Sequence, residues 1–331
     1  MSSVDIVIVD FKSENLVNEC LKSINAGVLE KHEIGKICVV DNSGDGFQRQ
    51  YNSESIPISV IKPEKNIGFG AACNVGARQG ESEFILFLNP DTRVFDNSIE
   101  LALSSLSSLP QASGLGIQFV DSSSQLPLSY FCFPTVKDFW KKLFGVGTNL
   151  SRSTEEKNDY TNKEPYKIDF PMGAFLLVRR CQFLEVGCFD ELFFLYYDEV
   201  DLCLRLNKRF GSIFFDERIK VYHLGRGTTD SVKAQRLFYS LRSRLFYSFK
   251  YFSSLSIFQT IVISFVCEPL FRFFYLLLKL KFSSIFELIH GYTLLIFDLK
   301  RIWFTFSFYR HLRLNFTVNL SPDKVLQNLT N

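Results

Sequence analysis

The sequence lacks the patterns that mark several common classes of protein. Its eight cysteines contain no CxxC pair, which disfavours both a disulfide framework and a zinc site. We therefore expect reduced, buried thiols in a cytosolic protein. No Gly-x-Gly-x-x-Gly follows the first predicted strand, so a nicotinamide-dependent oxidoreductase is only a minor alternative. Met1-Ser2-Ser3 leads directly into an apolar strand pattern, and we expect no secretory leader.

No uninterrupted apolar run reaches the roughly 20 residues that a membrane-spanning helix needs. Leu255–Val266 and Phe273–Leu280 are apolar, but Glu268-Pro269 and Arg272 interrupt the sequence between them. This pattern predicts a kinked re-entrant or interfacial hairpin instead of a single span. The alternative interpretation is a buried helical subdomain or a dimer interface, and with it a homodimer.

Charge is unevenly distributed along the chain, although the net charge is only +2. Residues 233–331 carry 13 Lys and Arg against 4 Asp and Glu, whereas residues 1–232 carry 24 against 31. The basic part is also rich in Phe, Leu, Ile and Tyr, a composition typical of an anionic membrane surface. We expect a protein that is peripheral at the cytoplasmic face of the inner membrane. A nucleic-acid partner is not expected, because that needs a basic face on a polar domain.

The first part of the chain alternates strand and helix patterns. Val4–Val9, Ile37–Val40 and Phe84–Leu88 are short apolar runs typical of buried strands, and Gly70–Gln79 has a helical pattern. This alternation predicts an α/β sandwich around a mixed, mostly parallel sheet, followed by a helical C-terminal extension. We assign residues 1–232 to the α/β domain and 233–331 to the helical region, and we predict that residues 121–165 form a long loop.

An acidic segment from Phe189 to Arg205 places five carboxylates among aromatic and apolar residues. A core strand does not carry this pattern, because burying an unpaired charge is costly, and a solvated acidic face would contain fewer aromatic rings. The pattern favours a cleft in which carboxylates do chemistry or bind a cation. The five carboxylates are Asp190, Glu191, Asp198, Glu199 and Asp201.

Polar residues also follow the predicted strands, at the ends where ligands bind in α/β sheets. Asp41 follows one strand, and Asn89-Pro90-Asp91 follows another. Asp91 offers a carboxylate to Mg²⁺ or Mn²⁺, and the alternative is a turn cap. His223 follows a later strand, where a neutral imidazole could complete a metal site; the alternative is a buried structural histidine.

Two glycine-containing segments are candidates for binding phosphate. The segment from Asn66 to Asn74 resembles a glycine-rich loop entering a helix, but Cys73 stands where the third glycine of a dinucleotide fingerprint belongs. After His223, Gly225-Arg226-Gly227 offers a guanidinium to phosphate oxygens.

Taken in order, these segments resemble family 2 glycosyltransferases, most of all the bacterial rhamnosyltransferases of polysaccharide and O-antigen assembly. The resemblance covers about residues 4 to 250, and seven weak motifs in the right order make a specific signal. The motifs are Val7-Ile8-Val9, Val39–Ser43, Asn66–Gly70, Leu88–Asp91, Gly173-Ala174-Phe175, Phe189-Asp190-Glu191 with Asp198–Leu202, and His223–Thr229.

The resemblance implies a catalytic domain of GT-A fold, a nucleotide-sugar donor, Mg²⁺ or Mn²⁺, and inversion at the anomeric carbon. It implies that Asp91 and His223 bind the metal and that Glu199 is the catalytic base, with Asp198 as a second candidate. Relatives often have Asp at the position of Glu199. Asn89 replaces the first Asp of the family's metal motif. Donor contacts are expected from Val9, Asp41, Asn66, Gly68, Asn74, Asn89, Asp91, Gly173 and Arg226, and acceptor contacts from Asp190 and Asp201.

The sequence therefore predicts a metal-dependent, inverting glycosyltransferase. The expected donor is dTDP-rhamnose, and the expected acceptor is a lipid-linked saccharide in bacterial cell-surface polysaccharide synthesis. One alternative is a UDP-sugar-dependent galactosyl-, galactofuranosyl- or glucosyltransferase. A second is an inactive GT-A scaffold subunit, which the departures at Asn89 and Glu199 would permit.

Overall fold

The computed structural model describes residues 2–26, 29–43, 56–121, 127–145, 164–225 and 233–315. These residues divide into two compact units. The first contains the described residues up to 133, 164–191 and 198–225, and the second contains 134–145, 192–197 and 233–315. The boundary that we predict at residues 232 and 233 falls at the edge of the undescribed residues 226–232. Two segments from within the predicted α/β domain, 134–145 and 192–197, group with the helices.

The first unit is built on a sheet made from the apolar runs of the sequence. The strands are β1 (Ser2–Asp10), β2 (His32–Asp41), β3 (Ile58–Ile61), β4 (Phe84–Leu88), β5 (Thr92–Val94), β6 (Gly114–Val120), β7 (Tyr130–Phe131), β8 (Tyr166–Ile168), β9 (Phe170–Pro171), β10 (Phe175–Arg179) and β11 (Ile213–His223). Within the described residues, nine of them form one sheet in the order β3-β2-β1-β4-β10-β6-β11-β5, with β8 beside β11, while β7 pairs with β9. Six strands of the large sheet run one way, and β5, β8 and β10 oppose them. The predicted mixed, mostly parallel sheet is confirmed.

Eleven helices are described, five of them in the first unit. In chain order they are α1 (Glu14–Ala26), α2 (Phe69–Ala77), α3 (Ser98–Ser107), α4 (Val136–Leu143), α5 (Arg180–Glu185), α6 (Asp198–Arg209), α7 (Lys233–Tyr251), α8 (Ser254–Val262), α9 (Glu268–Leu278), α10 (Phe282–Phe297) and α11 (Leu299–Asn315). Of these, α4 and α7 to α11 belong to the second unit.

Helices pack on both faces of the sheet because successive strand residues point to opposite sides. On one face, Ile6 and Ile8 of β1 share a core with Leu21 of α1 and Leu103 of α3. On the other face, Val7 lies against α2 so closely that a Cβ at Gly76 would come within 2.5 Å of its side chain. All eight cysteines lie in described segments; none forms a disulfide, and five are buried.

Strand direction gathers separate chain segments at one edge of this sheet. The parallel strands β1, β2, β4 and β11 all end there. Strand β10 begins there, because it runs antiparallel to β4 with Phe175 opposite Leu88. The residues that this arrangement brings to the edge are Asp10, Asp41, Asn89, Ala174 and His223.

Strand β11 is continuous from Ile213 to His223, with a register shift between Asp216 and Lys220 in its pairing with β6. At this irregularity Asp216 accepts hydrogen bonds from the side chains of Ser105 and Arg218.

The predicted loop at 121–165 also contains regular structure. The strand β7 and the helix α4 lie within it, and Thr135 with Asp138 forms a reciprocal capping box at the start of α4. Residues 122–126 and 146–163 of that predicted loop lie outside the described residues.

The second unit corrects the predicted break at Glu268-Pro269. The helix α8, a π-helical turn at Ile263–Cys267 and α9 continue as one helix of 25 residues, Ser254–Leu278. A proline ring clashes with the carbonyl four residues earlier in an α-helix, and the wider π turn accommodates it. The charges are paired, because Glu268 accepts hydrogen bonds from Arg244 at 2.6 Å and from Arg272 at 2.8 Å.

Length and composition alone make this 25-residue helix capable of crossing a membrane. The helices at Phe282–Phe297 and Leu299–Leu312, which are bent by 54°, meet the same criteria only if they act together as one span.

Candidate active site

The candidate site lies at the edge of the sheet where β4 ends and β10 begins. The backbone N–H of Asn89 donates to the carbonyl of Ala174 at 3.0 Å, which joins the two strand ends. Thr92 closes the turn after β4, since its hydroxyl donates to the Asn89 carbonyl at 2.6 Å. Thr92 therefore caps this turn, and the side chain of Asp91 does not serve as its cap.

Asp91 faces His223 instead. The pairing of β5 with β11 puts Thr92 opposite His223, and the Leu224 N–H donates to the Asp91 carbonyl at 3.0 Å. As a result Asp91 Oδ2 lies 3.3 Å from His223 Nε2, with side chains that are 10% and 12% exposed. The imidazole also packs on Phe119, with 5.0 Å between ring centroids.

This pair fits a divalent cation as two of its ligands. A carboxylate oxygen and an imidazole nitrogen suit Mn²⁺, and a carboxylate suits Mg²⁺. Within the described segments no group of three His, Cys, Asp or Glu side chains surrounds a common point.

Glu199 lies beside the same edge, at the start of α6. Gly173, which precedes β10, packs against it, and a Cβ at Gly173 would lie 3.5 Å from Glu199 Cγ. The Ala174 carbonyl accepts the hydrogen bond from the Asn89 N–H, so the segment that Glu199 packs against adjoins the Asn89–Asp91 turn. The predicted residues Gly173, Glu199, Asn89, Asp91 and His223 are thus linked by successive contacts.

Asp198 and Glu199 form a hydrogen-bonded pair of carboxyl groups with different surroundings. Asp198 is 3% exposed, and its Oδ2 has no hydrogen-bond partner in the described structure. Burial raises the pKa of Asp198 well above the ordinary value, and the neighbouring Glu199 adds to this. Burial also raises the pKa of Glu199, but its hydrogen bond with Asp198 opposes that rise. Asp198 therefore holds the proton, and Glu199 is the member that ionises first.

Two predicted ligand contacts are corrected by the structure. Asp201 is fully buried and pairs with Arg205, whose Nε donates to its Oδ2 at 2.7 Å, so it cannot touch an acceptor. Asn74 is 2% exposed and does not face a donor. Its Nδ2 donates to the Phe189 carbonyl at 2.9 Å and to Glu191 Oε1 at 3.1 Å, and its Oδ1 accepts from the Phe189 N–H.

Asn74 acts as a clamp on the acidic segment. Both hydrogens of its amide group and its carbonyl oxygen are used to hold Phe189 and Glu191 against α2. Asp190, which is partly exposed, lies between the two clamped residues and remains a proposed acceptor contact. The sequence alone does not indicate this role, because the partners of Asn74 lie 115 and 117 positions away in the chain.

A second group of predicted residues lies where β1 and β2 end. Asp41 is buried, and it accepts hydrogen bonds from the N–H and the hydroxyl of Ser43. Val9 is 7% exposed, and its side chain belongs to the core. Asp10 stands opposite Asp41 in the register. Burial raises the pKa of Asp10 despite hydrogen bonds from Ser13.

Asn42 connects these strand ends to the glycine-containing loop. Its Nδ2 donates to Asn66 Oδ1 at 3.0 Å, and its Oδ1 accepts from the Ile67 N–H at 2.9 Å. Asn66 Oδ1 also accepts from the Gly68 N–H at 2.9 Å. Gly68 has φ of 93°, a conformation that favours glycine, and α2 begins immediately after it. Neither Asn42 nor Asp10 is among the ligand contacts expected from the sequence; the signal that could have found them is their position directly after an apolar run or a buried strand end.

Arg226, the last predicted donor contact, lies outside the described residues.

This arrangement defines the class of protein. The mixed, mostly parallel sheet covered by helices is a GT-A fold, and it carries carboxylates at the carboxyl ends of its parallel strands, where ligands bind in α/β sheets. A solved structure of GalNAc-T7 with UDP, GalNAc and Mn²⁺ shares this fold. Its TM-score is 0.53 and its identity 13%, over 81% of this chain and 55% of that one.

The chain belongs to glycosyl transferase family 2, whose sequence profile matches residues 5–180, more than half of the protein. It is 29% identical to rhamnosyltransferase WbbL of Escherichia coli K12, over 62% of this chain and 76% of that protein. It is 26% identical to the N-acetylglucosaminyl-diphospho-decaprenol L-rhamnosyltransferase of Mycobacterium tuberculosis, over 52% of this chain. That match spans 61% of the mycobacterial protein, less than two thirds of its length.

Replacing Asp198 by Asn is expected to stabilise the protein increasingly as pH rises. Because burial raises the folded-state pKa of Asp198 above the unfolded value of about 3.9, the folded protein binds the extra proton. The stability linked to that proton is fully present below the unfolded pKa and is lost as pH rises through the folded pKa. Scanning calorimetry from about pH 5 to about pH 8 should therefore show a Tm advantage for D198N that grows with pH.

The exposed residue Asp96 supplies the control, since D96N changes the same chemical group at the surface. A Tm difference for D198N that is constant with pH would show that ionisation of Asp198 does not contribute to stability.

Proposed function

We propose that this protein is a metal-dependent, inverting glycosyltransferase that transfers L-rhamnose from dTDP-rhamnose to a lipid-linked saccharide in bacterial cell-surface polysaccharide synthesis. The observation that carries the proposal is the distance of 3.3 Å from Asp91 Oδ2 to His223 Nε2, together with Glu199 packed against the neighbouring Gly173. The Asp91–His223 pair suits a metal-bound diphosphate, and Glu199 suits a general base. Membership of the family and the two rhamnosyltransferase relatives support the choice of sugar.

The donor side is assigned from the strand ends. Asp91 and His223 would hold Mg²⁺ or Mn²⁺, which when bound neutralises the departing diphosphate. Asn89, at the start of the same turn, is proposed to contact the donor, and Arg226 is proposed to add positive charge at the diphosphate. Asp41, Asn66 and Gly68 are proposed to line the nucleotide pocket, with Asn42 holding the loop in place.

Glu199 is proposed as the general base. The acceptor hydroxyl oxygen forms a bond to the anomeric carbon as the bond from that carbon to the diphosphate oxygen breaks, and the hydroxyl proton passes to Glu199. A single displacement of this kind inverts the anomeric configuration. Asp198 keeps its own proton and donates to Glu199, so it positions the base and does not replace it.

A UDP-sugar donor is the alternative within the class, because a few pocket side chains decide the nucleotide and the sugar. An inactive GT-A scaffold is the alternative outside it. The lipid-linked acceptor is suggested by the mycobacterial relative, whose name specifies a diphospho-decaprenol carrier.

Loss of either proposed metal ligand is expected to weaken metal-dependent donor binding. Each of Asp91→Asn and His223→Gln should lower the affinity for dTDP-rhamnose in the presence of Mn²⁺ by about ten-fold to a hundred-fold. Isothermal titration calorimetry with dTDP- and UDP-sugars, with and without Mn²⁺ or Mg²⁺, measures this and identifies the nucleotide. The exposed Asp96→Asn variant is the control.

Equal binding with and without metal would refute the role of Asp91 and His223. A folded protein that binds no nucleotide sugar would favour the inactive scaffold.

Glu199→Gln is expected to lower kcat by about a hundred-fold to ten-thousand-fold while donor affinity stays unchanged, because a base is lost and a similar shape is kept. Asp198→Asn should retain most activity, since an amide can still donate to Glu199. Steady-state kinetics with a lipid-linked acceptor and donor titration of both variants measure this. If D198N lost activity and E199Q kept it, Asp198 and not Glu199 would be the better candidate for the base.

We also propose that the second unit holds the protein at the cytoplasmic face of the inner membrane. Only 17% of the apolar stretch of the helix Ser254–Leu278 is buried, whereas the core helix of a soluble protein is mostly buried. Large apolar side chains at the end of this helix and on the following helices are also exposed: Leu278 at 83%, Phe286 at 73%, Phe297 at 81% and Phe304 at 71%. So large an apolar surface needs a partner, and the basic composition favours anionic lipid over a second protein copy.

Vesicle flotation tests this placement. The full-length protein is expected to float with vesicles containing phosphatidylglycerol, and the double variant Phe297→Glu, Phe304→Glu should float several-fold less because charge opposes burial in lipid. Phe95→Glu, at an exposed apolar residue of the first unit, is the matched control. Protein that stays in the aqueous fraction as a dimer would show that the apolar surface is instead an interface between copies.

A further inference from the structure

The second unit contains a cavity of about 290 Å³ between α7, α8 and α11. Its walls come from the consecutive helices α7 and α8 and from the more distant α11, so tertiary packing against α11 completes it. The lining residues are Phe249, Ser254, Ile257, Phe258, Ile261, Phe306 and Arg310.

The walls of this cavity are almost wholly apolar. Phe249 and Ile257 are buried at 2% and 6% exposure, and Ile261 and Phe306 are partly buried. The two polar lining residues, Ser254 and Arg310, are exposed and stand at the rim. A ligand that fits must therefore be apolar for most of its length and can carry a negative charge at one end.

The surface around the cavity indicates where such a ligand would come from. Phe258, which lines the cavity, is 63% exposed, and its neighbour Leu255 is 68% exposed. Both belong to α8, at the start of the apolar helix Ser254–Leu278 that is proposed to contact lipid. The cavity is continuous with that apolar surface, so a lipid chain could enter it without crossing water.

We infer that this cavity binds a segment of the isoprenoid chain of an anionic polyprenyl lipid, with the Arg310 guanidinium next to its phosphate. The identity of that lipid as the acceptor carrier rests on the proposed function. A volume of about 290 Å³ is at the lower end for ligand pockets, which suits a single narrow chain segment. Arg310 supplies the charge complementarity, because guanidinium groups bind phosphate oxygens strongly.

Photocrosslinking with a benzophenone derivative of farnesyl diphosphate tests this site in the full-length protein, in phosphatidylcholine nanodiscs and without any sugar donor. The crosslink is expected to map to peptides containing 254–262 or 299–312. Ile261→Phe, which fills the cavity, should reduce its yield by roughly ten-fold. Arg310→Gln should weaken the diphosphate probe by roughly ten-fold and leave the corresponding alcohol, benzophenone farnesol, unchanged.

Lys300→Gln is the matched control, because Lys300 is an exposed cation on the same helix that does not line the cavity. A polyprenyl phosphate should compete with the probe, and dioleoylphosphatidylglycerol should not. Competition by the phospholipid at equal concentration would overturn the inference in favour of a general lipid site. Labelling that is absent, or that is unaffected by I261F and R310Q, would also overturn it.

Failure of this site and failure of the proposed function are distinguishable. If the probe labels the cavity but the protein transfers no sugar, the lipid site is supported and the proposed transferase function is refuted. Transfer to a lipid-linked acceptor with the same KM in I261F, R310Q and the wild type would support the transferase and refute the site. If both are correct, these variants raise KM for a long-chain acceptor but not for an acceptor without the isoprenoid chain.

Discussion

The hydrogen bond from the Asn89 N–H to the Ala174 carbonyl is the contact on which the candidate active site depends. It exists because β10 runs against β4, so the segment that leads into β10 meets the turn that leaves β4. Without that reversal, Gly173 and its neighbour Glu199 would lie at the opposite edge of the sheet from Asp91 and His223. The separation of the proposed metal ligands, Asp91 and His223, from the proposed base Glu199 is therefore set by backbone topology, and the side chains complete it.

Much of this arrangement could be predicted from the sequence, because strand ends leave a clear trace. A buried strand is a short apolar run, and the polar residue that ends it is visible at Asp41, Asn89 and His223. Parallel strands share an edge, so residues that end different runs are expected to meet. The encounter of Asp91 with His223 follows from this reasoning, although 132 positions separate them in the sequence.

What could not be predicted depends on partners that are distant in the chain. Nothing in the neighbouring sequence distinguishes Asn74, which clamps the acidic segment, from an amide that binds a ligand. Asp201 and Glu199 are both carboxylates in the first turn of α6, but Asp201 faces Arg205 inside the protein. Pro269 was expected to break a helix, but the π turn before it depends on packing that cannot be read from the residue pattern. Sequence patterns indicate which residues are polar at an edge, whereas their hydrogen-bond partners decide which of them remain available.

The assignment of residues 134–145 and 192–197 to the helical unit has a consequence for how the protein can be divided. The chain leaves the sheet-based unit and returns to it twice before α7 begins, so no single cut separates the two units. A truncation at residue 232 would remove α7 to α11 but would leave α4 and the segment 192–197 without the helices that they group with. Exchange of a C-terminal module at residue 232 would therefore separate these two segments from the helices of their own unit.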